Sequence, residues 1–220
     1  MDSVACITTH LGLPNSVIVE KYLSFRKMEV LYDQVSVLPT PEHPEGLVRA
    51  SEDIRKKCPF GAIPALQLKD GTVVTETSAI VAFFESAHPQ GALDGGSSVE
   101  QALKKMWHDR IDLSLFQPML DAFRCSNGVD MFKNRFPCHA AAFETFKGRV
   151  FYALGKLEGL LAERKTKFTA AETICTADIR LYAGLEFGLN KAFGPVLTEE
   201  EFSAFPNMKA LYDLIAAELR

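Results

Sequence analysis

No stretch of this sequence approaches 18 consecutive apolar residues, so no membrane-crossing helix is expected. The opening MDSVACITTH has neither a basic n-region nor a continuous apolar core, and predicts no secretory signal. The closing AAELR matches no simple address signal. The cysteines (Cys6, Cys58, Cys125, Cys138, Cys175) are odd in number and scattered, with no C-x-x-C pair. That argues against a disulfide framework and predicts reduced thiols in a cytoplasmic protein. The five histidines show no H-x-x-x-H pattern and no Cys/His pairing at zinc spacing. Adjacent Cys138-His139 is too little for a site, so no metal is expected. There is no internal repeat and no basic excess. A net charge of −4 argues against nucleic acid or an acidic membrane surface as a partner.

What is present is an ordinary globular composition, 47% hydrophobic and 24% charged over 220 residues, enough for one large domain or two small ones. The most informative stretch is Cys58 to Pro89. Ile63 to Leu68 and Thr72 to Thr75 read as strands, joined by a Lys69-Asp70-Gly71 turn. Glu76-Thr77-Ser78 then opens a helix with Ile80, Phe83, Phe84 and Ala87 at helical spacing, ended by His88-Pro89. Before it, Val4 to Thr9 reads as a strand and Gly12 to Asn15 as a turn. Val17, Ile18, Tyr22, Leu23 and Phe25 mark an amphipathic helix, and Glu29 to Leu38 returns to strand character. Pro39 to Gly46, with three prolines, is a loop, and Ser51 to Lys57 a short helix. The order β-α-β-α-β-β-α suits a small mixed sheet with helices on both faces.

After the linker-like Gly91 to Ser98 everything reads as helical. Val99, Leu103, Met106, Trp107, Ile111, Leu115 and Leu120 keep one stripe, with a kink or break expected at Pro118. Phe143 to Leu161, Ile179 to Leu189 and Met208 to Leu219 carry further helical stripes. The domains expected are therefore 1–89, a linker at 90–97, and an all-α bundle at 98–220.

The central stretch also suggests a ligand. The N–H and C=O of Ile63, at the very start of a strand, are expected without a partner strand, an edge that can pair with an extended peptide. The amides of Thr77 and Ser78 at a helix N-terminus favour a carboxylate, and Glu76 beside them can hold an ammonium group. A small peptide with a free amino-acid head fits all three features.

PFGAIPAL, then DG, then TETSAI resembles the N-terminal, thioredoxin-like domain of the cytosolic glutathione transferases, of bacterial, theta-like or Nu-like type. WHDRIDLSLFQP (Trp107 to Pro118) and TADIRLYAGL (Thr176 to Leu185) resemble helices of that family's C-terminal domain, so the likeness covers nearly the whole chain. The resemblance implies a cis bond before Pro64, pairing of Ile63 with the cysteinyl backbone of glutathione, and binding of the γ-glutamyl group by Glu76 and Thr77. Lys57, Lys56 or His43 would reach the glycyl carboxylate, since Ala62 stands where many members carry Gln or Lys. One departure concerns the S-x-A-D-I helix start, where Cys175 replaces the capping Ser or Thr. Either Cys175 caps poorly, at up to ~1 kcal/mol, or Thr173 or Thr176 caps a shifted start.

The reaction implied is addition of the glutathione thiolate, with glutathione as co-substrate, to a small-molecule electrophile or a peroxide. The family's usual Tyr, Ser, Thr or Cys donor is missing: in many members it stands immediately before a proline, and that residue here is Leu13. Some bacterial members hold the sulfur with the asparagine of a T-P-N turn, which Pro14-Asn15 partly keeps. This implies Asn15 as thiol donor, with Ser16 or Thr9 as substitutes. Asn15 reads equally as a helix N-cap, Thr9 as a strand residue, and Ser16 as a first-turn residue. A pocket for the electrophile, lined by Leu11, Leu13, Trp107, Arg110, Ile111 and Phe116, is expected between the domains. Arg110 would steer an anionic substrate there or make a surface ion pair. A homodimer is implied, through the helix after Glu76 and the helix near Trp107. The competing reading is a non-catalytic scaffold, like the transferase-like domain of elongation factor 1 gamma. Thiol-disulfide exchange is disfavoured, because no Cys-Pro stands at the turn.

Overall fold

The structure, a computed structural model, describes residues 3–35, 56–58, 61–132, 137–192 and 194–220. The chain divides into two compact units, Met1–Ala92 and Leu93–Arg220.

In the first unit, strand β1 (Val4–Thr9) leads through a short loop into helix α1 (Pro14–Phe25) and then β2 (Tyr32–Gln34). Strands β3 (Ala65–Leu68) and β4 (Val73–Thr75) form a hairpin that runs into helix α2 (Thr77–Ala87). The sheet order is β2-β1-β3-β4. β1 runs parallel to β2, with Ile7 opposite Tyr32, and antiparallel to β3, with Thr8 opposite Ala65. Ile7, Thr8 and Thr9 are buried in succession rather than alternately, as suits an inner strand covered on both faces. At the hairpin, Gly71 takes φ +89°, and the Asp70 carboxylate accepts from the Thr72 N–H at 2.9 Å, so the side chain braces its own turn.

Of the expected strand Glu29 to Leu38, residues 36–38 lie outside the described residues, and within 29–35 pairing is confined to Tyr32–Gln34. α1 closes with the Lys27 N–H on Ser24 O and the Met28 N–H on Leu23 O, with Lys27 at φ +52°. This left-handed closure leaves Met28 to Leu31 as an irregular return before pairing begins. The expected loop Pro39 to Gly46 and most of the helix expected at Ser51 to Lys57 lie outside the described residues; Lys56 and Lys57 form a helical turn.

Ile18, Val19, Tyr22 and Leu23 of α1 pack with Ile80 and Phe84 of α2 in a core where each is nearly or fully buried. Arg26 ties these helices together. Its guanidinium donates to Glu85 Oε1 at 2.8 Å, Tyr22 Oη at 3.0 Å, His88 O at 2.8 Å and Gln90 O at 3.0 Å. Tyr22 Oη in turn donates to Glu85 Oε1 at 2.7 Å.

In the second unit, Lys104 donates to Leu93 O and Gly95 O, so the end of the expected linker is clamped onto the helix that follows. That helix, α3 (Ser98–Ile111), starts in a capping box of Ser97 and Glu100. It continues through a π turn (Asp112–Phe116) into α4 (Gln117–Arg124), followed by the short α5 (Val129–Phe132). Pro118 therefore does not break the helix. Proline lacks an N–H and crowds the carbonyl four residues earlier, and the wide turn just before it relieves both problems.

Helices α6 (Phe143–Ala162), α7 (Thr176–Leu189), α8 (Glu199–Ser203) and α9 (Pro206–Glu218) complete the bundle. α7 approaches α4 and the π turn closely: a Cβ on Gly184 would meet the Phe116 ring at 2.9 Å, and one on Gly188 the Met119 sulfur at 2.6 Å. The start of α7 is not shifted. Cys175 stands at the N-cap, and the Asp178 carboxylate accepts its N–H at 2.9 Å and its thiol at 3.1 Å. Asp94 accepts from both the Thr176 N–H and its hydroxyl, so a carboxylate remote in sequence supplies what cysteine lacks.

Two expectations follow from these buried polar groups. Arg26→Ala takes the guanidinium away from Glu85 and from the His88 and Gln90 carbonyls, in a site where the Arg26 and Glu85 side chains are only 8% and 13% exposed. Denaturant unfolding should show a loss of about 3 kcal/mol. The second concerns His108, whose Nε2 accepts from Arg180 Nε at 3.0 Å while Arg180 also binds Asp112 at 2.6 Å. Burial, and then the Arg180 charge, push the His108 imidazole below its ordinary range. On acidification the unfolded chain takes up this proton first, so His108 should cost stability as pH falls from about 7 to about 5. Thermal melting across that window should lose part of its slope in His108→Gln.

Candidate functional site

The candidate residues of the first unit collect at one end of its sheet, where β1 stops and β3 starts. β1 ends at Thr9, and α1 begins at Pro14 with Leu13 at the N-cap and no side-chain cap. Asn15 is therefore the second residue of the helix and not its cap. Among the described residues neither its side-chain amide nor its backbone N–H has a partner, and the Ser16 N–H is likewise an orphan donor of the first turn.

The two proposed substitutes bond each other. Thr9 Oγ1 donates to Ser16 Oγ at 2.7 Å, with the residues 1% and 0% exposed. Thr9 therefore spends its hydroxyl proton inside the protein, while Ser16 Oγ, which accepts it, keeps its own proton to donate. Thr8, behind them, donates to Asp33 at 3.3 Å and accepts from Gln67 Nε2 at 3.1 Å. Burial pushes the thiols of Cys6 and Cys58 upward, so neither is a ready nucleophile.

Across from β1, the Ile63–Pro64 bond is cis, and β3 pairs only from Ala65 onward. Among the described residues the N–H and C=O of Ile63 have no partner. Further along, Glu76 links β4 to α2 with φ +69° and ψ +124°, outside the regions that L-residues favour. Such a conformation costs on the order of 1–3 kcal/mol and clusters at ligand-binding sites. Glu76 is exposed, and its carboxylate has no partner among the described residues. Thr77 behind it is buried, Ser78 is exposed, and no acidic side chain occupies the first turn of α2. The N-terminal field of α2 is thus uncompensated by the helix itself.

Lys57, expected at the glycyl carboxylate, pairs with a carboxylate of the protein. Its ammonium is 2.7 Å from Asp33 Oδ2 on β2, a hydrogen bond that holds the Asp33 carboxyl below its usual range. Lys56 is exposed, and His43 lies outside the described residues.

Of the residues expected to line an electrophile pocket, Leu11 is 38% exposed and Leu13 half-buried, both in the loop into α1. In the second unit Arg110 lies over the Trp107 ring at 5.7 Å, both half-buried, which is a cation–π pair and not the surface ion pair weighed from the sequence. Ile111 and Phe116 are core residues: Phe116 is fully buried between Gly184 and the Arg180 guanidinium. They are corrected as ligand-facing groups. Among the described residues no three His, Cys, Asp or Glu side chains are grouped as a metal would need, and no helix is long and apolar enough to cross a membrane.

Sequence reasoning passed over His10, the first residue beyond β1. Its Nδ1 lies 2.9 Å from Val35 O, just past β2. The available signal was a histidine placed between the end of a strand and a Gly-Leu-Pro turn.

Two family models match most of the chain. "Glutathione S-transferase, N-terminal domain" matches residues 9–87, and "Glutathione S-transferase, C-terminal domain" residues 131–220. The chain is 25% identical over 132 residues to Glutathione S-transferase 2 of Saccharomyces cerevisiae, an alignment that covers 58% of this chain and 54% of the yeast protein. It thus spans about half the length of that relative. It is 25% identical over 166 residues to maleylacetoacetate isomerase of Dictyostelium discoideum, covering 73% of this chain and 68% of that protein. In fold it is similar to a glutathione S-transferase domain-containing protein of Marinobacter aquaeolei, with TM-score 0.82, 23% identity, and 98% and 100% of the two chains covered. The chain belongs to the glutathione S-transferase family.

Proposed function

We propose that this protein is a glutathione transferase that lowers the pKa of the glutathione thiol for attack on a hydrophobic electrophile or a peroxide. The observation that carries the reading is the open backbone of Ile63, whose N–H and C=O lack a partner among the described residues at the start of β3. An extended peptide can take up both groups as an added strand would. The free Glu76 carboxylate and the uncompensated start of α2 offer an ammonium site and a carboxylate site side by side, as a γ-glutamyl head requires.

Bound there, glutathione supplies the sulfur nucleophile. Lowering a thiol from ~8.5 by about two pH units needs ~2.7 kcal/mol of preference for the thiolate. A helix terminus contributes roughly 0.3–1 kcal/mol and one hydrogen bond to the anion about 1.5–3 kcal/mol. The uncapped start of α1 provides the first, and Asn15, with its side-chain amide and N–H both unpartnered, provides the second. On the electrophile side, Leu11 and Leu13 in the first unit and Trp107 and Arg110 in the second remain the candidate contacts. A cytoplasmic homodimer is proposed with this function. The exposed Val99, Leu103 and Leu113 on α3 and its π turn support such an assembly.

A non-catalytic glutathione-binding scaffold is the second reading. It is favoured by Leu13 at the N-cap, which offers no side-chain donor, and by the Thr9–Ser16 pair, which takes up the Thr9 hydroxyl proton.

Calorimetry with glutathione should show Glu76→Ala binding about tenfold or more weakly, from loss of a charge-assisted contact. An unchanged affinity would remove Glu76 from the site. Thiolate absorbance of bound glutathione against pH should show a depressed thiol pKa in the wild type and a higher one in Asn15→Ala. A wild-type thiol that keeps its solution value decides for the scaffold.

A further inference from the structure

We infer that His10 is the base that takes the proton of the bound thiol, an inference that rests on the glutathione reading above. A carbonyl oxygen only accepts, so the contact between His10 Nδ1 and Val35 O at 2.9 Å requires the proton on Nδ1. In the neutral ring Nε2 then carries the lone pair, and among the described residues it has no partner. Val35 is itself fixed, because its N–H donates to Thr9 O at 2.8 Å. The strand ends of β1 and β2 thereby hold the ring in one tautomer, the arrangement a histidine base needs.

The position follows from register. Thr8 stands opposite Ala65 in the antiparallel β1–β3 ladder. His10 is two residues beyond Thr8 and Ile63 two before Ala65, so both fall at the same level of the same sheet end. Adjacent strands are roughly 4.8 Å apart. The backbone of His10 and the open backbone proposed to hold the cysteinyl unit are thus neighbours at the sheet end, with the Nδ1 edge of the ring turned toward the β2 side.

The neutral side chains at the start of α1 do not accept a proton. Asn15 offers an amide, which is not basic, while Thr9 and Ser16 bond each other. The charged group facing His10 from α1 is Glu20, which accepts from the Gly12 N–H at 3.4 Å and lies within electrostatic reach of the imidazole. On β2, Tyr32 faces Glu20 in turn.

In the step, the S–H bond breaks and an Nε2–H bond forms, giving thiolate and imidazolium. When the sulfur lone pair bonds to the electrophile, Nε2 gives its proton to the leaving group or to water, and the ring is neutral again.

The test compares wild type with His10→Gln, whose side-chain amide can still donate to Val35 O but cannot take a proton, and with Glu20→Gln. Each is titrated with glutathione by calorimetry, and thiolate absorbance of each binary complex is followed against pH. His10→Gln is expected to bind glutathione within about threefold of wild type, with its thiolate appearing at higher pH than in wild type but still below the ~8.5 of a free cysteine thiol, because Asn15 and the start of α1 remain. Glu20→Gln is expected to shift the wild-type curve upward by a smaller amount at equal affinity. A His10→Gln curve that coincides with wild type at retained affinity overturns the inference and leaves the function proposed above intact. A wild type that binds no glutathione overturns that function, and the inference with it.

Discussion

Because Pro64 has no N–H, the ladder between β1 and β3 cannot be extended backward past Ala65. Ile63 is left at the sheet end with a donor and an acceptor that no strand takes up. It is half-buried, so water can serve both groups until a better-ordered partner arrives. The remaining site features are arranged around that open position. α1 starts one short loop beyond the neighbouring strand, and α2 starts one hairpin later. The N-termini of both helices therefore lie near the end of a sheet whose own pairing has stopped.

The treatment of helix starts in the two units supports this view. In the second unit, α3 and α8 begin in capping boxes built on Ser97 with Glu100 and on Thr198 with Glu201. α7 is served by Asp178 and Asp94, and the Glu158 carboxylate accepts from the Asn207 and Met208 N–H groups that open α9. In the first unit, α1 begins at Leu13 and α2 at Glu76, with no side-chain cap on either. A cap is worth about 1 kcal/mol. In the second unit α6 also starts uncapped, at Ala142, whereas in the first unit the uncapped starts of α1 and α2 both lie at the end of the sheet where the proposed ligand would bind.

Much of this was legible in the sequence, for reasons that are local. The Asp70-Gly71 turn, the proline before β3, the Glu-Thr-Ser start of α2 and the three-four spacing of the bundle helices are each set by neighbours a few residues apart. What escaped depends on pairings that spacing does not reveal. Thr9 and Ser16 sit on different elements, and only the loop between them brings their hydroxyls together. Lys57 is drawn to Asp33 across the sheet end, and Asp94 reaches Thr176 over 82 positions. Pro118 misled for another reason: helix periodicity carries no sign of a π turn, which widens the backbone without moving the apolar stripe off the core. His10 was overlooked because its significance lies in one bond to a backbone carbonyl past β2.

Glu76 shows how the fold sustains an unfavourable backbone. On one side Thr75 is fixed in register opposite Ala65, and on the other the Ile80 N–H donates to Glu76 O at 3.0 Å as the first bond of α2. The direction of the chain therefore has to change from strand to helix within one residue, and φ +69° is where that change is absorbed. Glycine would adopt this geometry without strain, and a local optimum of stability would choose it. A glutamate in its place costs on the order of 1–3 kcal/mol and keeps a carboxylate in solvent with no partner among the described residues. No contact among the described residues recovers that cost, which is why the proposed function gives the carboxylate a ligand ammonium as its partner.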